Sequence, residues 1–163
     1  MGRRRGVRER EVALHLGGLA AAVGRGMAAG LAGTAAMTVS STLEARLRGR
    51  EASTTPARAA SKVLGVAPVD EQGERRFNNL VHWGYGTAWG AVRGVLGATG
   101  VDGVPATLAH LGAVWGGEQI VLPATGAGSP ATQWDSTEVV IDLWHHVVYA
   151  AATSIANGWL ERR

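Results

Sequence analysis

The sequence contains no cysteine. This absence excludes disulfide bonds and thiolate chemistry, and it removes cysteine usage as a guide to the cellular compartment. Several catalytic motifs are missing too: the chain has no H-E-x-x-H zinc motif and no G-x-S-x-G sequence. Glycines near Gly84 and Gly116 do not follow a predicted strand, so no dinucleotide or phosphate loop is expected. A non-enzymatic role is favoured.

Charge is nearly missing from four long stretches. They are 26–45, 79–98, 104–122 and 139–160, and the last three contain one charged residue each: Arg93, Glu118 and Asp142. As α-helices, runs of this length span roughly 30 Å, the thickness of a bilayer's hydrocarbon core. A charge at the centre of such a helix costs about 2.5–3.5 kcal/mol on insertion scales. The sequence therefore predicts an all-α integral membrane four-helix bundle with four spans.

A water-soluble α-helical bundle is the alternative fold. Such helices would need a polar stripe along one face. The stretches 27–36 and 86–97 offer no such stripe, and the membrane interpretation is preferred.

The flanking segments divide the chain into two parts. Residues 1–24 are expected to form a basic arm followed by an interfacial start of the first helix, and 25–163 the four-span domain. Between spans one and two, Thr55-Pro56 predicts a helix start and Gly65 a helix stop, so a short surface helix is expected there.

The ends of the later spans carry their own signals. Pro105 is expected to open the third span and Pro123 to close it. Asp135 and Glu138 have the spacing of a capping box at the start of the fourth span.

Small residues recur at four-residue steps on two spans. They are Gly26, Gly30 and Thr34 on the first, and Gly86, Gly90 and Gly94 on the second. Small residues let helix backbones approach closely in lipid, so these faces predict tight packing. Packing within one chain and formation of a homo-oligomer are both compatible with the pattern.

Ionisable residues on different spans are predicted to lie at a similar depth. Counting about 1.5 Å per residue from one surface brings five of them together: His82, Glu118, Asp142, His145 and His146. On the fourth span, Glu138, Asp142, His145 and Tyr149 follow the spacing of a single helix face. This polar cluster is the best functional candidate.

Three interpretations of the cluster stay open. It is a site that handles an ion or a proton, an internal network in a structural or partner-binding membrane subunit, or a site for a divalent metal such as Zn, Mn or Fe in a membrane redox protein. A haem held by His110 with His82 or His145 is a further alternative. Arg93 is expected to snorkel to the surface and to have no functional role.

The strings Gly30–Met37, Val81–Gly90, Val114–Glu118 and Asp142–Tyr149 resemble small four-span membrane proteins of high-GC actinobacteria, and more distantly the YagU-like inner-membrane proteins. The resemblance extends over about Gly26 to Leu160. It implies a multi-pass location in the cytoplasmic membrane and supplies no activity or cofactor. The expected partner is the lipid bilayer, and nothing indicates nucleic-acid binding.

Overall fold

The computed structural model describes residues 2–51 and 53–163, with side chains from residue 15 onwards. The chain is 84% helical, and its described part contains no strand. The helices are α1 (Gly2–Arg48), α2 (Thr55–Leu64), α3 (Glu71–Ala98), α4 (Gly103–Thr125) and α5 (Ser136–Glu161), with one 3-10 turn at Ala131–Gln133. The all-α prediction is confirmed.

The first two long helices extend beyond the predicted spans. α1 is continuous from Gly2, so the expected division between a basic arm and the first span at residue 24 is not a break in the helix. α3 begins at Glu71 instead of Asn79, because the Asp70 carboxylate caps its first turn by accepting from the Gly73 N–H at 2.6 Å.

Helix ends at glycine follow the expected chemistry, whereas one proline does not stop its helix. Gly65 ends α2 in the left-handed conformation with φ 65°, as predicted. α4 passes through Pro123, in its last turn, and ends at Gly126 with φ 62°. The expectation that Pro123 closes the third span was wrong, because the helix continues for two residues beyond it. Proline lacks a backbone N–H, and the loss of this one donor does not end the helix here.

Half of the predicted capping box forms at the start of α5. The Asp135 carboxylate accepts from the backbone N–H groups of Thr137 and Glu138 at 2.8 and 3.1 Å. The Glu138 side chain is engaged elsewhere, in an ion pair with Arg48 of α1 at 2.8 Å. Glu138 therefore ties the start of α5 to the end of α1.

α1 and α3 pack backbone to backbone along a line of small residues, here termed the α1–α3 seam. A β-carbon built on Gly30 would lie 2.9 Å from both the Gly86 carbonyl oxygen and the Gly90 Cα. Real β-carbons do not approach other atoms this closely, so only glycine fits. The seam contains all six predicted packing residues: Gly26, Gly30, Thr34, Gly86, Gly90 and Gly94. These residues thus serve packing within one chain.

The remaining helices complete a bundle around α1. α1 contacts both α3 and α5, and α4 contacts α5 and α3. The short α2 contacts α3 and α4, and its Lys62 ammonium donates to the carbonyl of Gly126, just beyond α4. By length and composition, α5 is the one helix of the described chain that passes as a candidate membrane span.

Candidate functional site

Among the described residues, the interior of this bundle combines small apolar residues, mostly alanines, with polar side chains, and many large apolar side chains lie on the exterior. The largest fully buried side chains are all polar: His110, Asn157, Thr34 and Thr153. Exposed apolar residues occur on every long helix, among them Leu31, Leu80, Leu108 and Ile155. A water-soluble protein places most of its large apolar residues inside, whereas Val114, Leu122 and Tyr149 are the large apolar or aromatic side chains that are buried among the described residues.

Three of the predicted cluster residues meet between α4 and α5. Glu118 of α4 and Asp142 and His146 of α5 offer ligand atoms that all lie within 4.8 Å of one another. The His146 Nε2 atom is 3.3 Å from the Glu118 Oε2 atom. This group is termed the acid–imidazole site.

The helix itself fixes the orientation of His146. Asp142 lies one turn earlier on α5, and His146 Nδ1 is 2.9 Å from the Asp142 backbone carbonyl. A carbonyl oxygen can only accept, so Nδ1 is the protonated nitrogen. In the neutral ring, Nε2 then carries a lone pair, and it points towards Glu118.

Glu118 and Asp142 have different surroundings. The Asp142 Oδ2 atom accepts from the Trp115 indole N–H at 2.9 Å. The Glu118 Oε2 atom is buried and has no hydrogen-bond partner among the described residues, despite its short distance to His146. The Asp142 carboxylate is thus oriented by the Trp115 indole, whereas the Glu118 carboxylate has one oxygen without a hydrogen bond, and this oxygen faces the His146 imidazole.

His145 belongs to a different group, although it neighbours His146 in sequence. Its Nδ1 atom is 2.9 Å from the Ser40 hydroxyl, and its Nε2 atom is 3.7 Å from the Glu44 carboxylate, both on α1. Glu44 also accepts from Arg50, and this hydrogen bond raises the pKa of the Arg50 guanidinium. The predicted single polar face of α5 is therefore divided: Glu138 and His145 contact α1, Asp142 contacts α4, and Tyr149 contacts α3.

Ser40, His145 and Glu44 have the residue types of a hydrolase triad, but their setting does not support that activity. Ser40 lies inside the continuous helix α1. Backbone N–H groups in the interior of a helix are used by its own hydrogen bonds and cannot stabilise an oxyanion. The contacts fit a structural link between α1 and α5.

The other predicted site residues are separate from the acid–imidazole site. His82 Nε2 is 2.9 Å from the Thr38 hydroxyl of α1, and the Tyr149 hydroxyl donates to the Gly86 carbonyl of α3 at 2.6 Å. His110 Nε2 lies 3.1 Å from the Trp89 carbonyl, and its ring packs against Tyr149. Since these histidines contact different groups, their positions favour individual packing roles over a shared haem.

Sequence reasoning missed one buried charge. Arg93 was expected to snorkel, yet its side chain is only 3% exposed. Its Nε donates to the Ser154 hydroxyl of α5 at 3.2 Å, and its Nη2 lies 3.9 Å from the Asp102 carboxylate. The available signal was an isolated charge within an otherwise uncharged stretch.

Comparison with protein-family models, curated proteins and solved structures finds no match.

Proposed function

We propose that this chain is a multi-pass membrane protein of four spans that binds a cation at the acid–imidazole site. Membrane insertion is supported by the large apolar side chains on the exterior, the small and polar residues in the interior and the composition of α5. α1, α3 and α4 are the other spans of this proposal, and their glycines and polar side chains lower their hydropathy. The proposed location agrees with the resemblance to four-span proteins of the cytoplasmic membrane.

The observation that carries cation binding is the close approach of the His146 ring to the buried Glu118 carboxylate. His146 Nε2 and Glu118 Oε2 approach to 3.3 Å, and the Glu118 oxygen receives no hydrogen bond from the described residues. Two lone pairs at this distance repel unless a positive charge lies between or beside them. A bound cation removes that repulsion and compensates the buried carboxylate.

A divalent transition metal is the cation that this donor set favours. Two carboxylates and one imidazole are ligand types used by Zn, Mn and Fe. Asp142 adds the third donor, and the backbone hydrogen bond at His146 Nδ1 orients the ring, as is usual for a metal-binding histidine. Three protein ligands leave coordination positions open for water or a transported group.

A metal titration of the detergent-purified protein tests the proposal. After treatment with a chelator, calorimetry and elemental analysis are expected to show about one Zn²⁺ or Mn²⁺ per chain. Glu118→Gln and His146→Gln each remove a ligand and should weaken binding by at least ten- to a hundredfold, the loss typical even for groups that only orient a ligand.

Glu138→Gln is the matched control for these variants. Glu138 is an acidic residue near the acid–imidazole site in sequence, but it pairs with Arg48 and is exposed. Its substitution should leave metal affinity unchanged. Equal metal binding by all three variants, or none by the parent protein, would contradict the metal site.

A shared proton is the second candidate for the cation. A proton on either Glu118 or His146 would also relieve the repulsion across 3.3 Å, and it would make the site an internal network or a step in a proton path. This candidate predicts no metal uptake and a change in proton flux of protein-containing liposomes on Glu118→Gln. Lower thermal stability without any change in flux would assign the pair a structural role.

Membrane insertion has an independent test. The chain expressed in cells should stay in the membrane fraction after an alkaline carbonate wash and should need detergent for extraction. Recovery in the aqueous supernatant would overturn the four-span proposal.

A further inference from the structure

A groove opens at the end of the bundle where α3 ends, α4 begins and α5 ends. Its volume is about 600 Å³. The walls combine apolar side chains, including Val104 and Ile155, with ionic groups of both signs. This region is far along the helices from the acid–imidazole site and plays no part in the cation proposal.

Arg93 places a buried positive charge at the groove, and the hydrogen-bonding capacity of its guanidinium is only partly used by the protein. The guanidinium has one hydrogen bond, to Ser154, and its nearest carboxylate oxygen, on Asp102, is 3.9 Å away. The Nη1 atom is buried and lacks a hydrogen-bond partner among the described residues. A buried guanidinium N–H without an acceptor is unfavourable, and an oxygen atom of a ligand in the groove would supply that acceptor.

The start of α4 adds to the positive potential in the same place. Gly103 and Val104 line the groove and belong to the first turn of α4, where backbone N–H groups have no partner within the helix. The Asp102 side chain, at the cap position, makes no capping hydrogen bond. A helix start of this kind attracts an anionic group.

Negative charge lines the rim of the groove. Glu161 of α5 accepts from the Asn157 amide at 2.7 Å, and Asp102 is largely exposed. Together with Arg93 and Arg162, these residues give the groove two charges of each sign. A simple anion would be repelled by the carboxylates, whereas a headgroup with an anionic and a cationic part matches both.

We infer that this groove binds the headgroup of a phospholipid that carries a phosphate and a primary ammonium. The phosphate accepts from Arg93 and from the first turn of α4, and the ammonium donates to Glu161 and Asp102. The acyl chains lie along Val104 and Ile155, which are 70% and 74% exposed. The inference rests on the proposed bilayer location and is independent of the cation site.

The test uses the full-length chain, delipidated in detergent, with thermal unfolding followed by tryptophan fluorescence. Phosphatidylethanolamine, phosphatidylglycerol and phosphatidylcholine with identical acyl chains are added in turn. Phosphatidylethanolamine should raise the Tm at a concentration about tenfold below the other two, since one good ionic hydrogen bond gives about that ratio. Glycerophosphoethanolamine, which has the headgroup without acyl chains, should have little effect.

Substitutions locate the effect. Arg93→Gln removes the guanidinium and should abolish the response to phosphatidylethanolamine. Gly158→Leu narrows the groove beside Arg162 without removing a charged side chain, and it should abolish the response too, which keeps the test decisive if Arg93→Gln does not fold. Gly112→Leu on α4, where a β-carbon would meet nothing within 4 Å, is the control and should keep the response. Glu161→Gln should reduce the preference over phosphatidylglycerol.

Two results would overturn the inference: equal responses to the three lipids, or an unchanged preference in Gly158→Leu. A stronger response to phosphatidylglycerol would also overturn it, in favour of an anionic lipid. These failures are distinct from failure of the bilayer proposal, which would show as extraction of the chain without detergent.

Discussion

Tyr149 illustrates how one hydroxyl joins two helices in this interior. The side chain is almost fully buried on α5, and its O–H donates to the Gly86 carbonyl on α3 at 2.6 Å. We expect Tyr149→Phe to lower the free energy of unfolding by about 1 kcal/mol. Chemical unfolding of both proteins in detergent measures this difference in the free energy of unfolding. Tyr85→Phe, at a half-exposed position on α3, should change stability by less than about 0.5 kcal/mol, and equal losses would contradict the assigned role.

The sequence predicts how deep a residue lies along a helix, but not which neighbouring helix its side chain faces. Depth along a helix follows from counting residues, and the counting did bring Glu118, Asp142 and His146 to one level. Direction does not follow from counting. Neighbours such as His145 and His146 point about 100° apart on a helix, and only the rotation of α5 against α1 and α4 decides which imidazole meets which carboxylate.

At the level of the helix pair, two glycines of α3 differ in their surroundings: Gly90 lies in the α1–α3 seam and Gly84 lies outside it. Gly90→Ala places a methyl group 2.7 Å from the Gly30 Cα, and we expect a loss of about 1–3 kcal/mol from overpacking. On the same helix, a β-carbon at Gly84 meets nothing within 4 Å.

Gly84→Ala is therefore the matched control, and its higher helix propensity should leave stability unchanged or raise it by up to about 1 kcal/mol. Thermal unfolding of both variants in detergent tests the pair. A tolerated Gly90→Ala would mean that α1 and α3 are farther apart than described.

The helices were predictable to different degrees. The four-residue spacing of Gly86, Gly90 and Gly94 predicted a contact face, because helices repeat every 3.6 residues. It could not name the partner helix, since a second copy of the chain offers the same surface as α1. The start of α3 was missed because Glu71 to Asn78 is polar, and that stretch is helical through its cap at Asp70 and its contacts with α2.

For the whole molecule, the distribution of apolar side chains yields a test of its surroundings. Val39 of α1 and Val69 of the loop before α3 are both exposed, at 69% and 100%. If α1 faces lipid, Val39→Asp should cost about 2–3 kcal/mol, whereas Val69→Asp should be nearly neutral. Thermal unfolding in lipid nanodiscs measures both. In a molecule surrounded by water, both substitutions would be nearly neutral.

The assembled molecule also explains the error over Arg93. Its neighbours Asp102, Ser154 and Glu161 belong to different segments of the chain, and a sequence does not show that they converge. An isolated helix would extend this arginine to the membrane surface. Inside the bundle, the Ser154 hydroxyl and the Asp102 carboxylate partly compensate the buried guanidinium.

The α1–α3 seam has a consequence for motion. Two helices whose backbones touch cannot slide or tilt against each other without atoms overlapping, so they move as one rigid body. α4 has no comparable line of glycines against its neighbours in the described chain and is held by side chains, which can change rotamer. Glu118 is on this more adjustable helix, whereas Asp142 and His146 are on α5. A modest tilt of α4 would thus lengthen or shorten the distances from Glu118 to Asp142 and His146 while the rest of the bundle stays still.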